Sequence, residues 1–211
     1  SCIVTDMGTA LLSGHQKIIL NKKQQMMTST GLGEMGYGLP GAIGACFGLN
    51  KKEVICLNCD GGIMMNLQEL QTVDEYRLPI KIFIFNNDGY LMIKHTQKNL
   101  FKGNYVAVNK KTKISCPNLK KLANAFNMKF FKIKNWKNFN KKIEIIKKIN
   151  TPVICEVLMD PEQFFHPKLG TSMGKNGKII SPPLEDLSPL INREELQKNM
   201  IIPMHKKSKI I

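Results

Sequence analysis

The sequence contains no apolar run near the roughly 20 residues that a membrane-spanning helix needs, so no membrane partner is expected. Arginine is nearly absent, with only Arg77 and Arg193 among 31 basic residues. A net charge of +15 would by itself suggest nucleic acid. The charge, however, is lysine scattered along the chain, with no zinc-finger spacing, helix-turn-helix or basic-aromatic platform beside it. Nucleic acid is therefore not an expected partner. Paired cysteine motifs are missing too: Cys2, Cys46, Cys56, Cys59, Cys116 and Cys155 form no CxxC pairs of metal type. Cys56 and Cys155 fall in apolar strands, where free thiols are commonly buried, and the Cys56–Cys59 spacing loses its redox meaning once Cys56 belongs to a strand. Reduced thiols and a cytoplasmic location are the expectation. No internal repeat occurs, and residues 1–5 read directly as a strand, so no signal peptide is expected.

What is present is a regular alternation. With 211 residues and 43% hydrophobic content the chain can build one substantial core. Short apolar, β-branched runs at 3–5, 25–29, 53–58, 80–85, 129–133 and 153–158 read as strands. Helical spacing appears between them, at Leu67, Leu70, Val73 and Tyr76, over 119–126, and at Phe139, Ile143, Ile146 and Ile149. Gly38 and Pro40 open a further helix in which Ala42, Ile43, Ala45, Cys46 and Phe47 are expected to pack closely on the sheet. The predicted fold class is α/β: a doubly wound, mainly parallel six-stranded sheet with helices on both faces. Residues 1–160 form this domain. Residues 161–211 form an irregular extension that wraps over the domain or a neighbouring subunit, and residues 206–209 are expected to be frayed.

The stretch from 53 to 87 is strand, helix, strand, which makes a right-handed βαβ unit with parallel strands. Its two polar clusters, Cys59-Asp60-Gly61-Gly62 and Asn86-Asn87, must then share the carboxyl edge of the sheet, where such folds bind ligands. Asp60 is a hard oxygen ligand and Asn87 offers a neutral carbonyl oxygen. Gly61 and Gly62 let backbone N–H groups approach an anion and can take positive φ. With water and phosphate oxygens this set suits octahedral Mg²⁺; an Asp-Gly pair after a strand also suits an ordinary turn. Upstream, Asp6-Met7-Gly8-Thr9 follows the first strand and either lies over a phosphate or caps the next helix.

Asp60-Gly61, followed after residues 62–85 by Asn86-Asn87, resembles the thiamine diphosphate motif, GDG and then NN. The flanking text GLGEMGYGLPGAIGA (31–45), MNLQEL (65–70) and SPPLEDLSPL (181–190) is similar to the acetolactate synthase group of thiamine diphosphate enzymes. The likeness runs over nearly the whole chain but covers only the family's carboxyl-terminal, diphosphate-binding third. Cys59 stands where the motif's first glycine is usual, and Thr9-Ala10 where many acetolactate synthases place Gln-His.

The resemblance implies thiamine diphosphate and Mg²⁺ as cofactors, with Asp60, Asn87 and the carbonyl of Gly89 on the metal. Gly8, Thr9, Gly61, Gly62, Tyr90, Leu91 and Met92 would border the cofactor. Gly33 would offer its carbonyl to the aminopyrimidine and Met35 would wedge between the two rings, with Glu34 beside them in an exposed loop. Met92 and His95 would face the substrate. The implied reaction is decarboxylation of a 2-keto acid, pyruvate, followed by carboligation, as in branched-chain amino acid biosynthesis. The tryptophan that selects 2-ketobutyrate in that pathway is replaced by Thr96, which keeps open another acceptor such as a keto-sugar nucleotide. A non-catalytic cofactor-binding or regulatory subunit is the alternative of another class. The glutamate that activates the pyrimidine belongs to a different domain, of the same or another chain. The chain alone is therefore expected to bind weakly and turn over nothing, as part of a longer enzyme or as one subunit of a homo-oligomer. FAD, if used, would occupy a domain absent from this chain.

Overall fold

The computed structural model describes residues 1–163, 165–173 and 177–209, and the chain divides into two compact units, 1–91 with 108–163, and 92–107 with 164–211. The first unit carries the sheet. Its elements in chain order are β1 (Cys2–Thr5), α1 (Thr9–Lys17), β2 (Gln25–Thr28), α2 (Gly38–Gly48), β3 (Val54–Cys59), α3 (Asp60–Ile63), α4 (Leu70–Glu75) and β4 (Ile80–Asn86). After α5 (Leu91–Leu100) come α6 (Leu119–Ala125), β5 (Lys129–Ile133), α7 (Phe139–Lys147) and β6 (Val153–Leu158). The six strands lie in the order β2-β1-β3-β4-β6-β5 and every pairing is parallel.

Side chains alternate across the strands, so each strand feeds two cores. Val4, Val54, Cys56, Ile80, Ile82, Ile84 and Ile154 meet Leu39, Ala42, Ile43 and Cys46 of α2, Leu70 and Val73 of α4, and Leu119 and Ala123 of α6. On the opposite face Val153 and Cys155 of β6 and Ile133 of the edge strand β5 meet Ile146 of α7. A sheet covered on both faces explains why these strands read as near-continuous apolar runs. The one buried lysine among them, Lys81, sits near the amino edge of β4, where its Nζ donates to the carbonyls of Ile149 and Thr151 and lies 3.6 Å from Glu53.

Two residues expected on apolar faces are on the surface instead. Phe47 falls one position beyond the α2 stripe of 39, 42, 43 and 46, and Tyr76 lies past the end of α4. Their rings meet each other edge to face at 5.3 Å, with Lys51 Nζ over both.

The second unit holds most of α5. There Gln97 closes the loop that follows by donating to Val106 O at 3.0 Å and accepting from Val106 N at 2.9 Å. Its remainder has a two-residue antiparallel pair, β7 (Ser172–Met173) and β8 (Ile179–Ile180), then α8 (Arg193–Asn199). Of the segment 164–177 predicted to be irregular, residues 164 and 174–176 lie outside the described residues. The predicted fraying of 206–209 is not found: these residues form a 3-10 turn with Ser208 buried. Arg193 explains the order, since it holds the buried Asp186 with two parallel hydrogen bonds of 2.6 and 3.0 Å and also donates to Ser208 O at 3.2 Å. No helix among the described residues is long and apolar enough to cross a membrane.

Candidate functional site

The chain leaves β1 towards β2 on one side, and β3 towards β4 on the other. The strand order therefore reverses between β1 and β3, the position where open α/β sheets bind ligands. Three connections meet there. After β1 the chain turns through Gly8, at φ +86°, into the amino terminus of α1. After β3 it enters α3 at once, with Asp60 fully buried in its first turn. After β4 it passes through Asn87 to Gly89. The turn expected at Gly61 and Gly62 is helical, and neither glycine takes positive φ. What both positions require is closeness. A Cβ on Gly61 would stand 2.5 Å from the Tyr90 ring, and one on Gly62 would stand 2.8 Å from Asn58 Oδ1 and 2.9 Å from Asp6 Oδ2.

Asp60 Oδ1 accepts from Gly61 N at 3.0 Å and Oδ2 from Gly89 N at 2.9 Å. Burial nonetheless dominates and pushes the carboxyl up to about 6. Asn87 is buried beside it; its Nδ2 donates to Thr9 Oγ1 at 3.4 Å, and its Oδ1 has no hydrogen-bond partner. A buried amide oxygen left unpaired costs about 1–3 kcal/mol unless something else takes its lone pairs. Among the described residues no cluster of three His, Cys, Asp or Glu could hold a metal. The Asp60 carboxylate and the Asn87 amide oxygen are hard oxygen donors of the kind a divalent ion such as Mg²⁺ takes.

The loop between β2 and α2 carries the second group of expected site residues. Gly33 takes φ +68° and its N donates to Ser29 O at 2.8 Å. Glu34 is exposed and accepts a hydrogen bond from the Ser29 hydroxyl, which holds its carboxyl below the ordinary range. Met35 is half-buried. Gly36, at φ +91°, is anchored to Asp6 through its N–H.

The family model described as thiamine pyrophosphate enzyme, C-terminal TPP binding domain, matches residues 6–157. The chain belongs to this family. Among curated proteins it is similar to the acetolactate synthase large subunit of Porphyra purpurea, 37% identical over 174 residues, 82% of this chain and 29% of that protein. The acetolactate synthase isozyme 1 large subunit of Escherichia coli is 32% identical over 165 residues, 78% of this chain and 29% of the relative. The isozyme 2 large subunit of the same organism is 37% identical over 126 residues, 59% and 22% respectively. The chain thus spans less than a third of the length of these relatives. In this thiamine pyrophosphate-binding domain Thr9, Asp60, Gly61, Gly62, Asn87, Gly89 and Tyr90 are gathered at the β1/β3 switch point.

Cys59, in place of the motif's first glycine, has a definite part in this domain. Its Sγ accepts from Ala10 N and donates to Met7 O, both at 3.4 Å, and it lies 3.5 Å from where a Gly8 Cβ would be. The thiol joins the end of β3 to the loop after β1, and burial pushes it up to about 12, far from a reactive thiolate. Cys59→Ala should cost about 1 kcal/mol, the worth of the lost hydrogen bonding, and lower Tm by about 2–4 °C. Cofactor affinity should change only a few-fold. Melting curves and cofactor titration check both; an unchanged Tm would mean the Sγ contacts carry nothing.

Leu91 is buried at the start of α5. Met92 and His95 belong to the second unit, where Met92 O accepts from Thr96 Oγ1 at 3.2 Å and His95 is buried beside Lys168 Nζ at 3.4 Å and the Phe165 ring. Two participants had no sequence signal. Val108 O accepts from Tyr90 N at 2.9 Å, and the half-buried Cys116 thiol is pushed up by desolvation and, to a lesser extent, by the charges of Asp60 and Asp88.

Proposed function

We propose that this chain is the diphosphate- and Mg²⁺-holding part of an acetolactate synthase-like carboligase that decarboxylates pyruvate. The observation that carries the reading is the buried, unpartnered Oδ1 of Asn87 beside a carboxylate whose burial favours a cation. Asp60 and Asn87 would hold Mg²⁺, with the Gly89 carbonyl as the third protein oxygen. Thr9 orients Asn87 by accepting from its Nδ2, which would leave the amide oxygen available to the metal. The amino terminus of α1, behind Gly8 and Thr9, offers N–H groups and the positive end of its dipole to the diphosphate. Gly33 and Met35 would hold the ring end. Thiamine diphosphate, when bound, supplies the electron sink for decarboxylation of a 2-keto acid. This chain's residues position it, keep water away and balance its charge. The name of the similar proteins supports the reaction class, and their greater length supports a pyrimidine-binding domain, on this or another chain, and an oligomer as partners.

The acceptor is the point of departure from branched-chain synthesis. Thr96 replaces the tryptophan of the resembled enzymes, and its hydroxyl turns back to Met92 O. One methylene gripped in an apolar pocket is worth roughly 1–3 kcal/mol of discrimination, and that grip is missing. The complete enzyme should therefore release carbon dioxide from pyruvate yet show little preference for 2-ketobutyrate over a second pyruvate. A competition assay reading the product ratio tests this. A strong bias to the 2-ketobutyrate product would refute the acceptor assignment, and no decarboxylation at all would favour a non-catalytic binding subunit.

A further inference from the structure

Asp6 is fully buried, and no ion pair among the described residues includes it. Its charge is held by peptide groups. Oδ1 accepts from Met7 N at 2.6 Å and from Gly36 N at 2.9 Å, and Oδ2 lies 3.1 Å from the same Gly36 N; burial still raises the carboxyl above its ordinary value, with the peptide groups of Gly36, Met7 and Gly38 opposing that rise. Asn58 Nδ2 has no partner in hydrogen-bonding geometry but lies close enough to help stabilise the charge. Two glycines from different helices, Gly38 at the start of α2 and Gly62 in α3, close around the same side chain. A Cβ on Gly38 would stand 2.8 Å from Asp6 Cβ, and one on Gly62 would stand 2.9 Å from Asp6 Oδ2. The backbone of Asp6 is fixed in turn, its N donating to Leu57 O at 2.8 Å.

The loop with Gly33 and Met35 and the turn with Asp60 and Gly62 therefore meet at one carboxylate. We propose that Asp6 is a positioning residue that sets the spacing between the ring-holding loop and the metal- and diphosphate-holding turn, an inference resting on the site assignment above. A carboxylate suits this task because it accepts several N–H bonds at once. An amide of the same shape has one acceptor fewer and turns an N–H₂ group towards N–H donors. The two loops each hold their own part of the ligand, so the consequence is selective. A ligand lacking the rings needs only the turn, whereas the whole cofactor needs both loops at the correct separation.

The test uses the complete enzyme carrying this chain, stripped of cofactor. It is titrated with inorganic diphosphate and with thiamine diphosphate, each with Mg²⁺. In Asp6→Asn the affinity for Mg-diphosphate should stay within about threefold of the parent, while that for thiamine diphosphate should fall at least about tenfold, a difference of some 1.4 kcal/mol or more. Turnover at saturating cofactor should fall as well. Gly38→Ala, which presses on Asp6 from the loop side and leaves the carboxylate in place, should give the same split, and it decides the matter if Asp6→Asn does not fold. Equal loss for both ligands would mark a general packing role and overturn the proposal, as would no loss for either. If the parent itself fails to bind thiamine diphosphate with Mg²⁺, the underlying site assignment falls instead.

Discussion

Asp60→Asn should abolish Mg²⁺-dependent thiamine diphosphate binding and at the same time make the metal-free protein more stable above about pH 6. Both effects come from one buried charge. Desolvation raises the Asp60 carboxyl from an ordinary 3.8 to about 6 despite the N–H groups of Gly61 and Gly89. The folded state therefore binds this proton more tightly than the unfolded chain does. Stability from this group is fully present below about pH 4, is lost as pH rises through 6, and is level beyond. The cost at pH 8 is on the order of 3 kcal/mol; a neutral amide of the same size avoids it but gives back about 1–2 kcal/mol, because its N–H₂ group faces the N–H of Gly61 or Gly89 where an oxygen accepted before. In chelator, the variant should melt several degrees above the parent at pH 8, and the gap should close towards pH 4. With Mg²⁺ and cofactor the order should invert, because the parent gains binding free energy that the variant lacks. A variant that responds to cofactor as the parent does would remove Asp60 from the metal, and a pH-independent gap in chelator would remove the desolvation argument.

This trade between stability and binding also shows which parts of the domain could be read from the residues. The six strands and their parallel order follow from apolar runs alternating with helical spacing, because burying both faces of a sheet leaves a plain signature in sequence. The shared edge of Asp60 and Asn87 follows from chain direction alone. Other features depend on contacts across long sequence separations. Gly61 and Gly62 were legible as glycines, but not the reason for them: it is the Tyr90 ring and the Asn58 and Asp6 side chains, not backbone conformation, that exclude a side chain there. Phe47 fits an apolar stripe only if the helix phase is misjudged by one residue, and its true partner is Tyr76 across a loop. The order of the last described residues depends on Arg193, whose pairing with Asp186 and Ser208 no local pattern announces. Asp6 was visible as a polar residue after a strand. Its role as a junction of two loops needs Gly36 and Gly62 in space.

Gly89→Ala should be the most damaging single-methyl change in the site, and it separates backbone geometry from mere lack of room. Gly89 takes φ +140°, a conformation that residues with a Cβ rarely adopt, and the added carbon would stand 2.0 Å from Val108 O, 3.0 Å from Val108 C and 3.2 Å from Asn109 Cα. All three are backbone atoms, so no rotamer change relieves the clash. Moving residue 89 would also break the 2.9 Å bond from its N–H to Asp60 Oδ2 and disturb the neighbouring Tyr90 N to Val108 O bond of 2.9 Å. The expected loss is more than about 3 kcal/mol of stability, with cofactor affinity down at least about 100-fold, or 2.7 kcal/mol. Gly61→Ala is the control. Its Cβ would lie 2.5 Å from Tyr90 Cε1, an atom of a half-exposed ring that can swing aside, and Gly61 has no positive φ to lose. That variant should lose less than about 2 kcal/mol and bind cofactor within about tenfold of the parent. Denaturant unfolding and cofactor titration of the pair give the comparison. If Gly89→Ala were as mild as Gly61→Ala, the segment from Asn87 to Tyr90 would be free to shift without cost. The backbone of Gly89 could then not be what holds the Asp60 carboxylate in place for a metal.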